Sequence, residues 1–162
     1  MVHPHQFAVS AEGGRELGDQ LSGLAGAGGV RCVLLVDRGG RLIGNAGDAE
    51  DVDLVTFASL TAADFNANEQ LARLVGVRGF RALVHRGDRV SIHVADVRGS
   101  AVLITLFDEG AAPGLVGRLA GEVVERVALT LDMMADRSAS QQGTEQSLLA
   151  GAEEEIDRLF DW

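Results

Sequence analysis

The sequence has few of the residues that several protein classes need. Its 162 residues include one cysteine, two prolines, one tryptophan and no tyrosine, and all 14 Lys/Arg positions are arginine. A single cysteine, Cys32, excludes an internal disulfide, and its apolar surroundings are typical of a protein in a reducing compartment. With so few tyrosine and tryptophan rings, a surface on which bases or sugars stack is not expected.

Long apolar runs and excess positive charge are also missing. No apolar run reaches the roughly 18–20 residues that span a bilayer, and residues 1–5 lack the basic start of a signal peptide. The net charge of −10 offers no basic surface to nucleic acid or anionic lipid. We therefore expect one cytoplasmic domain that neither binds nucleic acid nor inserts into a membrane.

The acidic residues are concentrated at the C-terminal end. Residues 1–134 contain 17 Asp/Glu and 12 Arg, a net charge of −5, and residues 135–162 contain 7 and 2, again −5. We predict a domain over 1–135, a flexible polar linker over 136–151 and an acidic amphipathic tail helix over 152–162.

Three apolar residues give the tail a binding face. Ile156, Leu159 and Phe160 have the i, i+3, i+4 spacing of one helical face. This spacing favours a segment that folds into a partner's groove. The alternative is a disordered acidic segment that only improves solubility.

Hydrophobic periodicity predicts the element order α-β-β-α-β-β-β-α. The predicted helices cover about 8–26, 51–75 and a segment from Pro113 to Met134, and the predicted strands cover about 32–36, 41–44, 80–85, 89–95 and 100–107. Two hairpin-type groups of strands separated by one helix predict an α/β (α+β) fold in which helices sandwich a five-stranded antiparallel sheet.

The middle helix is apolar or small on all sides from Leu54 to Ala63, so a second surface must cover it besides its own sheet. We predict a homodimer. Its predicted interface residues are Leu54, Ala58, Ala62 and Ala63. Asn66, Gln70 and Arg73 follow as a polar stripe at i, i+4, i+7, which resembles the rim of an interface.

The sequence contains no recognisable active site. The glycines of 26–29 follow a helix and precede a strand, whereas a phosphate-binding loop follows a strand and opens a helix. His85 and His93 have no second His or Cys at ligand spacing, and Ser91 lacks a nucleophile-elbow motif. We predict a non-enzyme without catalytic residues, cofactor or metal.

A group of arginines leaves one alternative open. These are Arg78, Arg81, Arg86 and Arg89. An arginine supplied in trans can accelerate a GTPase, but surface arginines are far more often solvated or weakly paired. We favour the second interpretation.

Several segments together resemble the Roadblock/dynein light chain family. They are the strand–turn–strand segment 35–43, the helical segment 58–62, the turn at 85–87 and the residues 106–108 before the last helix. The tail 155–160 is similar to that of a bacterial branch of the family. No one of these motifs is strong, and the specificity comes from their order and spacing.

The resemblance implies a sheet with the middle helix on one face and the terminal helices on the other. It also implies a homodimer, joined through middle helices and edge strands, that binds one small Ras-like GTPase and speeds GTP hydrolysis without inserting an arginine. The cellular process implied is bacterial cell polarity or gliding motility, with clustering of the protein at a cell pole. Residues expected to bind the GTPase are Thr61, Phe65, Asn66, Gln70 and Arg73. Alternatives are a scaffold that binds a GTPase or another partner without accelerating hydrolysis, and a sensor domain for a small ligand.

Overall fold

Eight helices and strands lie within residues 11–160, the part of the chain that this computed structural model describes. In chain order they are α1 (Ala11–Ala25), β1 (Val30–Asp37), β2 (Leu42–Gly47), α2 (Leu54–Leu74), β3 (Ala82–His85), β4 (Val90–Val97), β5 (Ala101–Asp108) and α3 (Pro113–Phe160). The order is the predicted one. Residues 8–10 of the predicted first helix lie outside the described range.

The five strands form one antiparallel sheet in the order β2-β1-β5-β4-β3. The two continuously apolar strands, β1 and β5, pair with each other near the middle of the sheet. Both are almost fully buried because they are covered on both faces. The predicted α+β fold is confirmed.

Alternation along β1 sends its side chains into two separate cores. Leu34 and Val36 pack with α2 on one face of the sheet. Val33 and Leu35 pack with α1 and α3 on the other face. The middle helix therefore covers one side and the terminal helices cover the other, as the family resemblance implied.

The turn between β1 and β2 packs directly on α2. Gly40 has a φ of +89°, and a Cβ there would lie 2.8 Å from the Cα of Ser59. Only glycine allows this backbone conformation and this close approach together. The Ser59 hydroxyl also donates a hydrogen bond to the Gly40 carbonyl oxygen, at 3.4 Å. This contact fixes the height of α2 above the sheet.

The last helix differs from the prediction. Residues 136–151 were expected to be a flexible linker, but α3 is one continuous helix of 48 residues from Pro113 to Phe160. The segment has no proline, its glycines are Gly143 and Gly151, and its polar residues tolerate a helix. Three hydroxyls each donate to the carbonyl four residues earlier, those of Ser138, Ser140 and Thr144. The predicted tail helix is therefore the end of α3, and residues 161–162 lie outside the described range.

Candidate functional site: the outer face of helix α2

Helix α2 begins at a well-formed N-cap. The Asp53 carboxylate accepts hydrogen bonds from the Thr56 amide, at 3.2 Å, and the Thr56 hydroxyl, at 2.7 Å. These bonds lower the pKa of Asp53, because they favour the ionised carboxylate. From this start α2 runs for 21 residues, about 32 Å at 1.5 Å per residue.

The inner face of α2 holds most of the predicted contact residues. Ala58, Thr61, Ala62 and Phe65 are buried on it, and Leu54 is half-buried. The Phe65 ring lies 5.2 Å from the Phe80 ring within the α2 core. Since these side chains face the sheet of their own protomer, they support α2 from below. Of the four residues predicted for the dimer interface, Ala63 is the exposed one.

The outer face of α2 carries a stripe of exposed apolar residues. Leu60, Leu71 and Leu74 are 66%, 60% and 83% exposed. With Ala63 and Ala67, which are also exposed, they follow the spacing i, i+3, i+7, i+11, i+14 of one helical face. We call these five residues the outer stripe. Their spacing was present in the sequence, but the prediction ended the apolar region at Ala63.

An open sheet edge lies beside this helix. Strand β3 pairs with β4 on one side, and no other described strand pairs with its second side. His85 at the end of β3 is tied to α2, because its Nε2 atom lies 2.7 Å from Asp64 Oδ2. An exposed apolar stripe next to an edge strand with one free side is the kind of surface that another chain covers.

The predicted polar stripe divides into two kinds of residue. Asn66 has a structural role: its amide donates to the Arg38 carbonyl oxygen at 3.0 Å and accepts from the Arg38 guanidinium at 2.9 Å. Gln70 is exposed, and Arg73 is exposed with an ion pair to Glu69 at 3.4 Å. Gln70 and Arg73 are therefore the members of this stripe that a partner could contact.

The tail residues project from the body without a described contact to it. Ile156 and Leu159 are exposed, as are Leu148 and Leu149 about two turns earlier. Phe160 ends α3, and its side chain lies outside the described part of the structure. Among the described side chains of the tail, Ile156 and Leu159 are therefore left uncovered.

A groove of about 640 Å³ lies on the opposite side of the sheet, between α3 and the β3–β4 hairpin. Its floor includes His93, which is 6% exposed and whose Nδ1 has no hydrogen-bond partner among the described residues. Burial lowers the pKa of His93, because the imidazolium loses hydration there. In the sequence, His93 had no second His or Cys at ligand spacing, and the groove was not predicted.

Among the described residues, the remaining reactive groups form no further site. Burial, reinforced by the charge of Asp48, raises the pKa of the Cys32 thiol, so its thiolate is disfavoured. Within residues 11–160 no three His, Cys, Asp or Glu side chains are grouped as a metal ion would require. Over the same range no helix has the length and apolarity needed to cross a membrane.

Comparison with known proteins identifies the class. The Roadblock/LC7 domain model matches residues 16–107, more than half of the chain, and the chain therefore belongs to the Roadblock/LC7 family. No protein with a curated description matches it.

Solved structures of MglB proteins are similar to this chain. MglB of Myxococcus xanthus is 27% identical, with a TM-score of 0.73, over 78% of this chain and 96% of that one. The gliding protein MglB of Thermus thermophilus is 27% identical, with a TM-score of 0.74, over 82% and 99%. A structure described as MglB with tetrameric arrangement is 26% identical, with a TM-score of 0.75, over 82% and 99%.

Proposed function

We propose that this chain is a homodimeric regulator that stimulates GTP hydrolysis by a small Ras-like GTPase of the MglA type. Its setting would be the bacterial cytoplasm, in cell polarity or gliding motility, with clustering at a cell pole. The similarity to MglB proteins, which extends over nearly all of their chains, supports this proposal. The chain would act without an active site of its own, by reshaping the catalytic residues of its partner.

The observation that carries the proposal is the outer stripe of α2 beside the open edge of β3. Pairing of two α2 helices and two β3 strands would bury both surfaces in one symmetric interface. The tie between Asp64 and His85 supports this arrangement, because it keeps α2 and β3 in a fixed relation. Ala63, from the predicted interface, would lie within the contact.

Gln70 and Arg73 would then contact the GTPase. They lie about 60° apart around α2, since successive residues of a helix are about 100° apart. Around the helix, Gln70 lies about 120° and Arg73 about 180° from Asp64, the residue that contacts His85, so this flank would stay open after dimerisation. We call the surface formed by Gln70 and Arg73 the platform. Thr61 and Phe65 would support it from the inner face of α2, and Asn66 would fix it to the β1–β2 turn through Arg38.

The tail would make a second contact with the GTPase. Ile156, Leu159 and Phe160 would enter a groove on the partner, and the acidic first turn of the predicted tail helix would meet a basic rim. With one GTPase on the dimer axis, two regulator chains would bind one GTPase, and a single tail would reach that groove. Tethering makes even a weak contact of this kind effective.

The deciding experiment measures GTP turnover by the cognate GTPase with and without this protein. We expect stimulation by the wild-type chain and about a tenfold or greater loss with Gln70→Arg combined with Arg73→Glu, because the variant rearranges the charge of the platform. The matched control is Arg118→Glu, an exposed position on α3, which should leave stimulation unchanged.

The result also separates the proposal from its alternative. If the wild-type protein binds the GTPase without changing turnover, the chain is a scaffold and not an activator. If the platform variant stimulates as well as wild type, the GTPase-binding surface lies elsewhere.

A further inference from the structure

Four exposed arginines flank the open edge strand β3. They are Arg78, Arg81, Arg86 and Arg89, two before the strand and two after it. None of them forms an ion pair with any residue in the 11–160 range. In a chain with a net charge of −10, this local excess of unpaired positive charge indicates an acidic partner.

The groove behind β3 gives such a partner a place to dock that combines apolar and charged side chains, the charged ones being Arg81, Asp96, Arg98 and Glu125. Ala82 and Ala95 contribute to its floor beside His93, and the wall on α3 includes Gly117 and Gly121. A Cβ added at Gly121 would meet no described atom within 4 Å. Gly117 and Gly121 lie about one turn apart on this wall and carry no side chains, so another helix could approach closely at these two positions. The buried Nδ1 of His93 has no hydrogen-bond partner among the described residues, which is a second indication that another group occupies the groove.

The chain itself contains a segment with the complementary chemistry. Residues 139–159 of α3 are all exposed. At about 100° per residue, Leu148, Ala152, Ile156 and Leu159 fall within one arc of the helix. The acidic residues of 153–155 and Asp157 lie outside this arc. The segment is therefore an acidic amphipathic helix with an uncovered apolar face.

The lengths of the two surfaces are compatible. The apolar arc from Leu148 to Leu159 covers about 17 Å, and the α3 wall of the groove from Gly117 to Glu125 covers about 12 Å. The groove volume of about 640 Å³ is large enough for several aliphatic side chains. Arg81 on the lip of the groove could meet the glutamates on the flank of the tail.

The tail cannot reach the groove of its own protomer. From Gly121 to Leu148, α3 continues without interruption and rises about 40 Å. Because the helix holds the two segments that far apart, the tail must enter the groove of another molecule.

We propose that the groove between α3 and β3 binds the acidic, exposed segment 139–159 of α3 from a second copy of this chain. When each copy both donates its own segment and accepts that of another copy, this contact joins monomers or dimers of the protein into larger assemblies. The proposal goes beyond the proposed function, because it concerns the protein without its GTPase. A GTPase that holds the same tail face would compete with it.

Sedimentation of the full chain without GTPase tests the proposal. We expect wild type to form a reversible species heavier than that of Ile156→Glu, in which a charge would enter the groove. Gly121→Leu should fill the groove and weaken this association by about tenfold or more, equivalent to about 1.4 kcal/mol. Gly18→Leu, the same change at an open position on α1, should associate as wild type. The mass of wild type is compared with that of the Ile156→Glu variant. This comparison holds whether the variant is a dimer or a monomer.

Crosslinking identifies the contact directly. Differently tagged full-length chains carrying Gly121→Cys and Ile156→Cys should form a mixed disulfide on gentle oxidation, and a Gly18→Cys chain should not pair with Ile156→Cys. Wild type that sediments as Ile156→Glu at all concentrations would overturn the proposal. Equal crosslinking of Gly18→Cys and Gly121→Cys would overturn it as well.

Discussion

At the scale of single residues, Arg38 joins three parts of the fold. It belongs to the turn between β1 and β2, and its guanidinium donates to Asp96 at 2.6 Å and to Asn66 at 2.9 Å. The same group lies 5.0 Å from the centre of the Phe65 ring. One side chain, largely shielded from water, therefore holds the β1–β2 turn, α2 and β4 together.

We expect Arg38→Met to lower the free energy of unfolding by about 1–3 kcal/mol, because Asp96 and Asn66 lose a charged hydrogen-bond partner in a half-buried site. Urea denaturation measures this difference. The control is Arg118→Met, which removes an exposed ion pair with Glu122 on α3 and should cost about 0.5 kcal/mol or less. Equal effects of the two changes would contradict a special role for Arg38.

His93 predicts a pH dependence of stability. Burial lowers its pKa in the folded state below the ordinary value of about 6.5. The unfolded chain then binds more protons than the native chain, so this residue's contribution to stability is complete above about pH 6.5 and is lost as the pH falls through the folded pKa. Unfolding measured between about pH 5 and 7 should show a shallower loss for His93→Gln than for wild type. Identical slopes would mean that His93 is not the group responsible.

At the scale of secondary structure, the last helix makes the next prediction. Gly143→Pro should remove helical content from the C-terminal half of α3, because proline in a helix interior costs about 3 kcal/mol. The urea midpoint of the body should stay unchanged, since residues 139–159 are exposed. Circular dichroism should show the helix loss for Gly143→Pro and none for Gly143→Ala. An unchanged spectrum for Gly143→Pro would support the flexible linker that the sequence predicted.

The same helix shows why part of the fold was not predictable. The strands β1 and β5 were recognised because continuous apolar runs and turn residues are strong local signals. Residues 136–151 carry no such signal, because a polar segment that packs against nothing has the same hydropathy whether it forms a helix or a coil. Its helical state depends on backbone propensity and on hydroxyl groups that bond to the preceding turn. Composition alone does not distinguish these cases.

The sequence led to α2 as the candidate site, but it did not predict which face of this helix is exposed. The sequence identified α2 as a helix that needs a second covering surface, but an all-apolar helix does not reveal which face meets its own sheet. Ala62 and Ala63 were therefore grouped together, although the first is 2% exposed and the second faces outward. Asn66 was grouped with Gln70 and Arg73 by spacing, whereas its partner Arg38 lies 28 residues earlier.

At the scale of the whole molecule, charge and apolar surface are separated. The acidic C-terminal end of α3 is exposed, arginines without an ion pair to any described residue flank β3, and the outer stripe of α2 is apolar. Each surface suits a different contact: a basic rim, an acidic helix and a second apolar stripe. Assembly should therefore respond to salt and to apolar substitution at different surfaces, and the two can be changed separately.

The neighbours Ala62 and Ala63 test the dimer on this basis. Ala63→Arg places a charge in the outer stripe, so it should raise the dimer dissociation constant about 100-fold or more while the protomer stays folded. Ala62→Arg forces the same side chain against the sheet and should lower the free energy of unfolding by more than about 3 kcal/mol. Light scattering reports the mass and circular dichroism reports the fold. If Ala63→Arg remains dimeric at micromolar concentration, or if wild type is monomeric there, the outer stripe is not the dimer interface. If both variants unfold, the outward orientation of Ala63 is wrong, because only a residue that faces the sheet would disrupt the protomer itself.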